Sequence, residues 1–195
     1  GTEYYLPAGS SYRITPFELA KGFRLVGSSE GVKPKVILDD WWRIAKGSYI
    51  TALEFENIEF SHTSNNKYFM NADKSFTIES VSFVNCDFIG LTRGFWRHQQ
   101  ATSKHIMSFA VEGCRFDKCG WQTGSYGLMD LRSFNDPTAY DQVDKAVFRN
   151  CTFSRDNDGT TGFGWGNLSM HLTLISPYSW NSRISQSITT VSINV

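Results

Sequence analysis

Four segments of the chain repeat one pattern: apolar-x-apolar-x-(Asn or Gly)-(Cys or Ile)-x-Phe. They are LEFENIEF (Leu53 to Phe60), VSFVNCDF (Val81 to Phe88), FAVEGCRF (Phe109 to Phe116) and AVFRNCTF (Ala146 to Phe153). The central positions are Asn57, Asn85, Gly113 and Asn150, at intervals of 28, 28 and 37 residues. A weaker copy, FRLVG, matches the first half and ends on Gly27. A fixed period of this length means stacked copies of one supersecondary unit.

The parity of the pattern says what the unit is. Before the central residue, apolar side chains sit two apart (Leu53 and Phe55); after it they are again two apart (Ile58 and Phe60). Across it the spacing is three. A flat strand would turn one of the two sets outward. A one-residue bend repairs the parity, and Asn and Gly tolerate the left-handed conformation such a bend needs. Each copy therefore reads as strand, corner, strand. On this reading the Asn amides hydrogen-bond along the stack at buried corners. The sequon Asn150-Cys151-Thr152 would then lie on a core corner that cannot carry a glycan.

Helical periodicity is nearly absent, and short β-rich runs recur, among them KVIL, SFTIESVSF and SITTVSINV. A further run follows each corner: KYFMN, GFWRHQ, GLMDLRS and GFGWGN. The expected fold is all-β: a single-stranded right-handed parallel β-helix of about six or seven coils, with equivalent residues stacked about 4.8 Å apart. An antiparallel sandwich would need hairpin turns between neighbouring strands. The one Asp-Gly dipeptide, Asp158-Gly159, falls in a long loop instead. Residues 1–195 read as one domain, with 1–38 the first coil and N-terminal cap region. SITTVSINV ends the sequence on a strand without a polar cap, and a solenoid end needs one. The chain is thus expected to be a monomer that is part of a longer protein or associates end to end.

Composition narrows the function classes. The 19 Lys+Arg balance 19 Asp+Glu, which argues against a basic nucleic-acid clamp. The 15 Phe, 8 Tyr and 6 Trp supply ample core, so the chain is not disordered. No run of eighteen apolar residues is present, so no transmembrane helix is expected. No signal peptide is visible; Gly1 in place of Met reads as the residue left where a leader was removed, which keeps export open. Cys86, Cys114 and Cys151 share a column with Ile58. That equivalence marks a buried thiol ladder, Cys acting as a small hydrophobe, without disulfides. Cys119 falls five residues past its column and reads as a free loop thiol.

The stacked Asn57, Asn85 and Asn150, the Cys and Phe columns, and the opening YLPAGSSYRI…FRLVGSSEGVKPKVIL together resemble the pectin-lyase-like right-handed parallel β-helix superfamily. More narrowly, the chain is similar to β-helix proteins of gut-bacterial glycan-utilisation systems. The resemblance covers nearly the whole chain. It implies a secreted or cell-surface location and a polysaccharide partner. The pectate lyase signature, a calcium-binding Asp pair with a catalytic Arg, is not intact here, and fold alone does not decide function.

Candidate site residues come from the runs after the corners. Aligning Phe95-Trp96-Arg97 with Asp130-Leu131-Arg132 turns Phe95, Arg97, Asp130 and Arg132 outward and stacks the two guanidiniums on neighbouring coils. Asp130 can bridge them; so can the carboxylate of a bound uronic acid, which suits the fork of Arg. A solvated Arg-Asp lattice is the plainer alternative. Arg93, His98, Lys104 and His105 lie close by in sequence. Trp121, Tyr126 and Trp165 offer flat rings for a sugar. Asp39-Asp40-Trp41-Trp42 reads either as a first-coil loop or as a ligand wall. Asp130, Asp136 and Asp141 are the carboxylates that a glycoside hydrolase would draw on. No zinc or nucleotide motif is present, and no cofactor is expected. Asp156 and Asp158 faintly resemble a calcium loop, though a polar turn accounts for them.

The leading expectation is an extracellular module engaging an acidic, pectin-like polysaccharide through Arg97 and Arg132, with polysaccharide lyase or glycoside hydrolase activity left open. The alternative is a non-catalytic structural or adhesive solenoid that binds a protein partner.

Overall fold

The computed structural model describes residues 1–100, 102–119, 128–131, 141–153, 164–166, 169–175 and 190–194. Among them there is no helix, and hence none long and apolar enough to cross a membrane. Every strand pairing is parallel, and the chain winds through three sheets in turn. The first sheet stacks eight strands: Thr2–Leu6, Phe23–Gly27, Ser48–Glu56, Phe76–Val84, Lys104–Glu112, Asp141–Arg149, Ser169–Ile175 and Thr190–Asn194. The second stacks Ser11–Ile14, Lys35–Leu38, Glu59–His62, Asp87–Ile89, Arg115–Asp117 and Thr152–Phe153. The third stacks Tyr68–Ala72, Gly94–His98, Met129–Leu131 and Gly164–Gly166. Glu18–Leu19 and Arg43–Ile44 form a pair of their own, joined to the third sheet by a bridge from Trp42 to Met70. The turns that begin at Ser48, Phe76, Lys104 and Asp141 carry a strand in all three sheets. The described residues thus form a parallel β-solenoid of about four full turns, against the six or seven expected.

The corners between the first and second sheets are single residues. Asn57, Asn85, Gly113 and Asn150 have φ of 57°, 51°, 63° and 52°. This left-handed region costs an ordinary L-residue roughly 1–2 kcal/mol, which is why these four corners carry Asn or Gly. The Asn85 amide donates to Asn57 Oδ1 at 2.8 Å, and the Asn57 amide donates to the Gly27 carbonyl at 3.2 Å. Gly27 needs no positive φ; a Cβ there would meet the Asn57 carbonyl oxygen at 2.1 Å. Two corner expectations are corrected. Of the three Asn corners only Asn57 is buried, and Asn150 is exposed, because the bend turns its side chain away from the core. Burial therefore gives no reason to exclude the Asn150 sequon.

Inside, the two apolar sets face each other as the parity demands. Phe60, Phe88 and Phe116 stack rung on rung, with centroids 5.6 and 5.0 Å apart and planes within 14°. Phe55 and Phe83 stack at 4.9 Å. Offset aromatic stacking of this kind adds to the area the rings remove from water. Ile58, Cys86, Cys114 and Cys151 form one buried column, and all four cysteines are free thiols. Burial pushes the Cys151 thiol up to about 12 and Cys114 well above its ordinary value. Cys119 lies in a loop, as its spacing implies, just past the strand Arg115–Asp117. It is buried beyond the third rung, donates to the Phe88 carbonyl at 3.2 Å, and burial raises it to about 12.

Two outcomes check this architecture. Asn85→Ala should destabilise by about 1–2 kcal/mol, since Ala lacks the short polar side chain that lets Asn tolerate the left-handed corner and deletes a rung of the amide ladder. Asn85→Gly should cost less, because the backbone conformation is kept; urea titrations of both read the difference. Cys86→Ser should cost roughly 1–3 kcal/mol through a poorly satisfied buried hydroxyl.

Candidate functional site

The third sheet carries the site candidates. Its strands are short, so few backbone hydrogen bonds hold each one, and the side chains above and below must fix the face. One register column runs Arg43, Asn71, Arg97, Asp130 and Trp165 on successive rungs, as the pairings Trp42 with Met70, Asn71 with Arg97, Arg97 with Asp130 and Asp130 with Trp165 show. Three of the residues singled out in the sequence, Arg97, Asp130 and Trp165, thus share one column.

The register differs from the sequence alignment. Arg97 lies beside Asp130, not beside position 132, so the expected Arg97/Arg132 stack is not formed in register. The reason is a bulge. Both Phe95 N and Trp96 N donate to the Leu128 carbonyl, at 2.9 and 3.0 Å. The irregularity lets two successive aromatic side chains, Phe95 and Trp96, both turn into the core. Phe95, expected outward, packs 4.6 Å from Phe88 and 5.1 Å from Phe116. Arg132, Trp121, Tyr126, Asp136, Asp156 and Asp158 lie outside the described residues.

Arg97 is also not the exposed cation the pattern implied; only 6 % of its surface remains accessible. Its Nη1 donates to the Tyr68 hydroxyl at 3.0 Å and its guanidinium lies 5.3 Å from the ring centroid. Arg93 stands 5.4 Å from the same ring. Tyr68 in turn meets Trp41 edge-on at 5.8 Å, and Trp41 carries Lys67 at 4.7 Å and Arg43 at 5.2 Å. Two touching aromatic rings therefore hold four cations, each within the range of cation–π attraction. Asp40 pairs with Arg43 at 3.1 Å and with Lys67 at 3.6 Å. Lys67 and Arg43 are part-exposed, so their charges reach solvent while their stems lie on the ring. The Asp39 to Trp42 segment resolves accordingly: Trp41 belongs to this layer and Trp42 to the core. Tyr68 and Lys67 were missed in the sequence. The available signal was the position of Tyr68 just before the inward Phe69.

His98 points the other way. It is fully buried in the solenoid, in the rung position that Ala72 holds one turn earlier. Trp96 Nε1 donates to His98 Nε2 at 3.0 Å, so the neutral ring carries its proton on Nδ1. Nδ1 lies 3.9 Å from Asp141 Oδ2, and Lys104 Nζ lies 3.7 Å from Asp141 Oδ1. Lys104 and Asp141 are register partners on adjacent strands, and both are buried. Burial holds the His98 imidazole well below its usual range, reinforced by the Lys104 charge. Burial also lowers Lys104, against the pull of Asp141. His98 is therefore no ligand for a surface glycan, and Asp141 is no surface acid. Lys104 also borders a groove of about 320 Å³ at the start of the first-sheet strands, beside Tyr49, Thr77, His105 and Gln142. Among the described residues no cluster of His, Cys, Asp and Glu is arranged to hold a metal. No protein family, curated protein or solved structure matches the chain.

Arg97→Ala should destabilise the fold by roughly 1.5–3 kcal/mol, the range for a hydrogen bond to a charged group; the urea midpoint reads it. Acid should act through the histidines. Burial also lowers His62, which donates to the Tyr68 carbonyl at 2.8 Å. Unfolded histidines take up a proton near about pH 6.5 and these folded ones do not, so their contribution is present above that pH and is lost as pH falls toward the folded values. The urea midpoint should drop between about pH 7 and about pH 5, and His98→Leu should flatten that drop.

Proposed function

We propose that the protein is a secreted or cell-surface β-solenoid module that binds an acidic, uronate-containing polysaccharide across its third face. The observation that carries the reading is the layer of Arg43, Lys67, Arg93 and Arg97 on the touching rings of Trp41 and Tyr68. Guanidinium forks suit carboxylates, and aromatic faces suit the apolar side of a sugar ring. A column repeating at one strand spacing, about 4.8 Å, offers a row of contacts to an extended chain. Binding is favoured over cleavage because a lyase needs a base at the face to remove the proton beside the carboxylate. His98, the nearest imidazole in sequence, lies inside the solenoid instead.

Titration calorimetry with oligogalacturonate at two salt concentrations tests the reading. Affinity should fall with salt, because exposed charge attraction is screened over about 8 Å at physiological ionic strength. Arg43→Ala and Lys67→Ala should each weaken binding by roughly 1.5–3 kcal/mol, while neutral oligosaccharides stay indifferent. Salt-independent affinity, or wild-type affinity in the double variant, would remove the site from this face. Release of an unsaturated product from polygalacturonate would replace binding by lyase action.

A further inference from the structure

The buried Lys104–Asp141 pair joins two adjacent turns, and its surroundings are those of a reaction site rather than of a surface ion pair. The two residues face each other in register on neighbouring strands of the first sheet, each about 1 % accessible. Nζ is 3.7 Å from Oδ1. The amine is anchored by the Gln100 carbonyl at 3.1 Å, the Thr102 carbonyl at 2.9 Å and the Thr102 hydroxyl at 2.7 Å. The imidazole of His98 stands on the far side of the carboxyl, its protonated Nδ1 3.9 Å from Oδ2. Phe76 closes the imidazole edge-on at 5.6 Å.

We propose that Lys104 and Asp141 condense to an intramolecular isopeptide bond that staples the third full turn to the fourth. In a water-poor interior an ammonium–carboxylate pair gains by passing one proton from nitrogen to oxygen, giving a neutral amine beside a neutral acid. The amine lone pair then attacks Cγ, and the Nζ–Cγ bond forms. The Cγ–Oδ2 bond breaks, and the oxygen departs as water carrying the two protons the ammonium has lost. His98 hands its Nδ1 proton to the departing oxygen and takes one back from the new C–N centre. No oxidant, reductant or cofactor enters the balance. Holding both partners in contact makes the step unimolecular, which is the condition under which an otherwise slow condensation proceeds. The bond closes a loop over the longest interval of the repeat, where the chain departs from its 28-residue period. A constraint there limits the unfolded ensemble and keeps the two turns in register.

The test is the intact mass of the full chain, measured denatured. The expected value is one water below the sequence mass, with a branched Lys104–Asp141 peptide after digestion. Asp141→Ala and Lys104→Met should recover the full mass. Asp141→Asn should lose one ammonia in place of water, and His98→Leu should slow the appearance of the lighter species. The wild-type mass decides even where a variant fails to fold. Full sequence mass after prolonged incubation of the folded protein would overturn the proposal. So would a loss of water that mild alkali reverses by hydrolysis and that maps to Asp158-Gly159, the signature of a succinimide.

Discussion

The stack of left-handed corners is the constraint on which the rest of the solenoid depends. A one-residue bend changes the facing of a strand by one position, and only that change lets Leu53 and Phe55 on one side of Asn57 meet Ile58 and Phe60 on the other. Repeated at Asn85, Gly113 and Asn150, it sets the same residues over one another on every turn. The Phe stacks and the thiol ladder are consequences. Rings 5.0 to 5.6 Å apart can stack only if the strands beneath them hold one register, and the hydrogen bond from Asn85 to Asn57 helps to hold it. The column after the corner takes Ile once and Cys three times; in each place the side chain is short and apolar enough to sit beneath the bend.

What was legible in the sequence follows from how strictly each part obeys the period. The first and second sheets keep two-residue alternation on both sides of a corner, so their strands, their facing and their register could be read from Leu53, Phe60 and their equivalents. The third sheet obeys no such rule. Its strands are three to five residues long, and one contains a bulge that turns Phe95 and Trp96 inward together. An alignment anchored on a single apolar residue then slips by two, which is how Arg97 came to be matched with Arg132 instead of Asp130. Exposure was misjudged for a related reason. Alternation says which way a residue faces but not what lies over it, and Arg97 does face outward yet is covered where it lies on Tyr68.

The interior polar cluster was invisible for a different reason. His98, Lys104 and Asp141 are ordinary surface residue types, and nothing in composition marks them as buried. Only after the register is known does it emerge that His98 stands where Ala72 stands one turn earlier, and Lys104 where Phe76 does. Polar groups in apolar columns impose a desolvation cost that a solenoid with a uniform core avoids. They are kept from being a plain defect by their mutual arrangement: Trp96 donates to His98, and the Thr102 and Gln100 oxygens accept from Lys104.

The strand Gly94–His98 links that cluster to the outer face. Arg97 and His98 are neighbours in sequence with opposite facing, one on the Tyr68 ring and the other beside Asp141. A change at position 97 therefore acts on two sides at once. Loss of the Tyr68 hydrogen bond frees the strand, and a freed strand no longer holds the imidazole against the Trp96 indole. Weakened ligand binding after such a change would not by itself identify Arg97 as a contact. Arg43 and Lys67 report on the face more cleanly. Both lie on Trp41, both are part-exposed, and both side chains pair with Asp40 rather than with the strand that carries His98. A charge effect at those two positions without a stability effect would be a property of the surface, whereas a combined effect at Arg97 would reflect coupling between adjacent residues of one short strand.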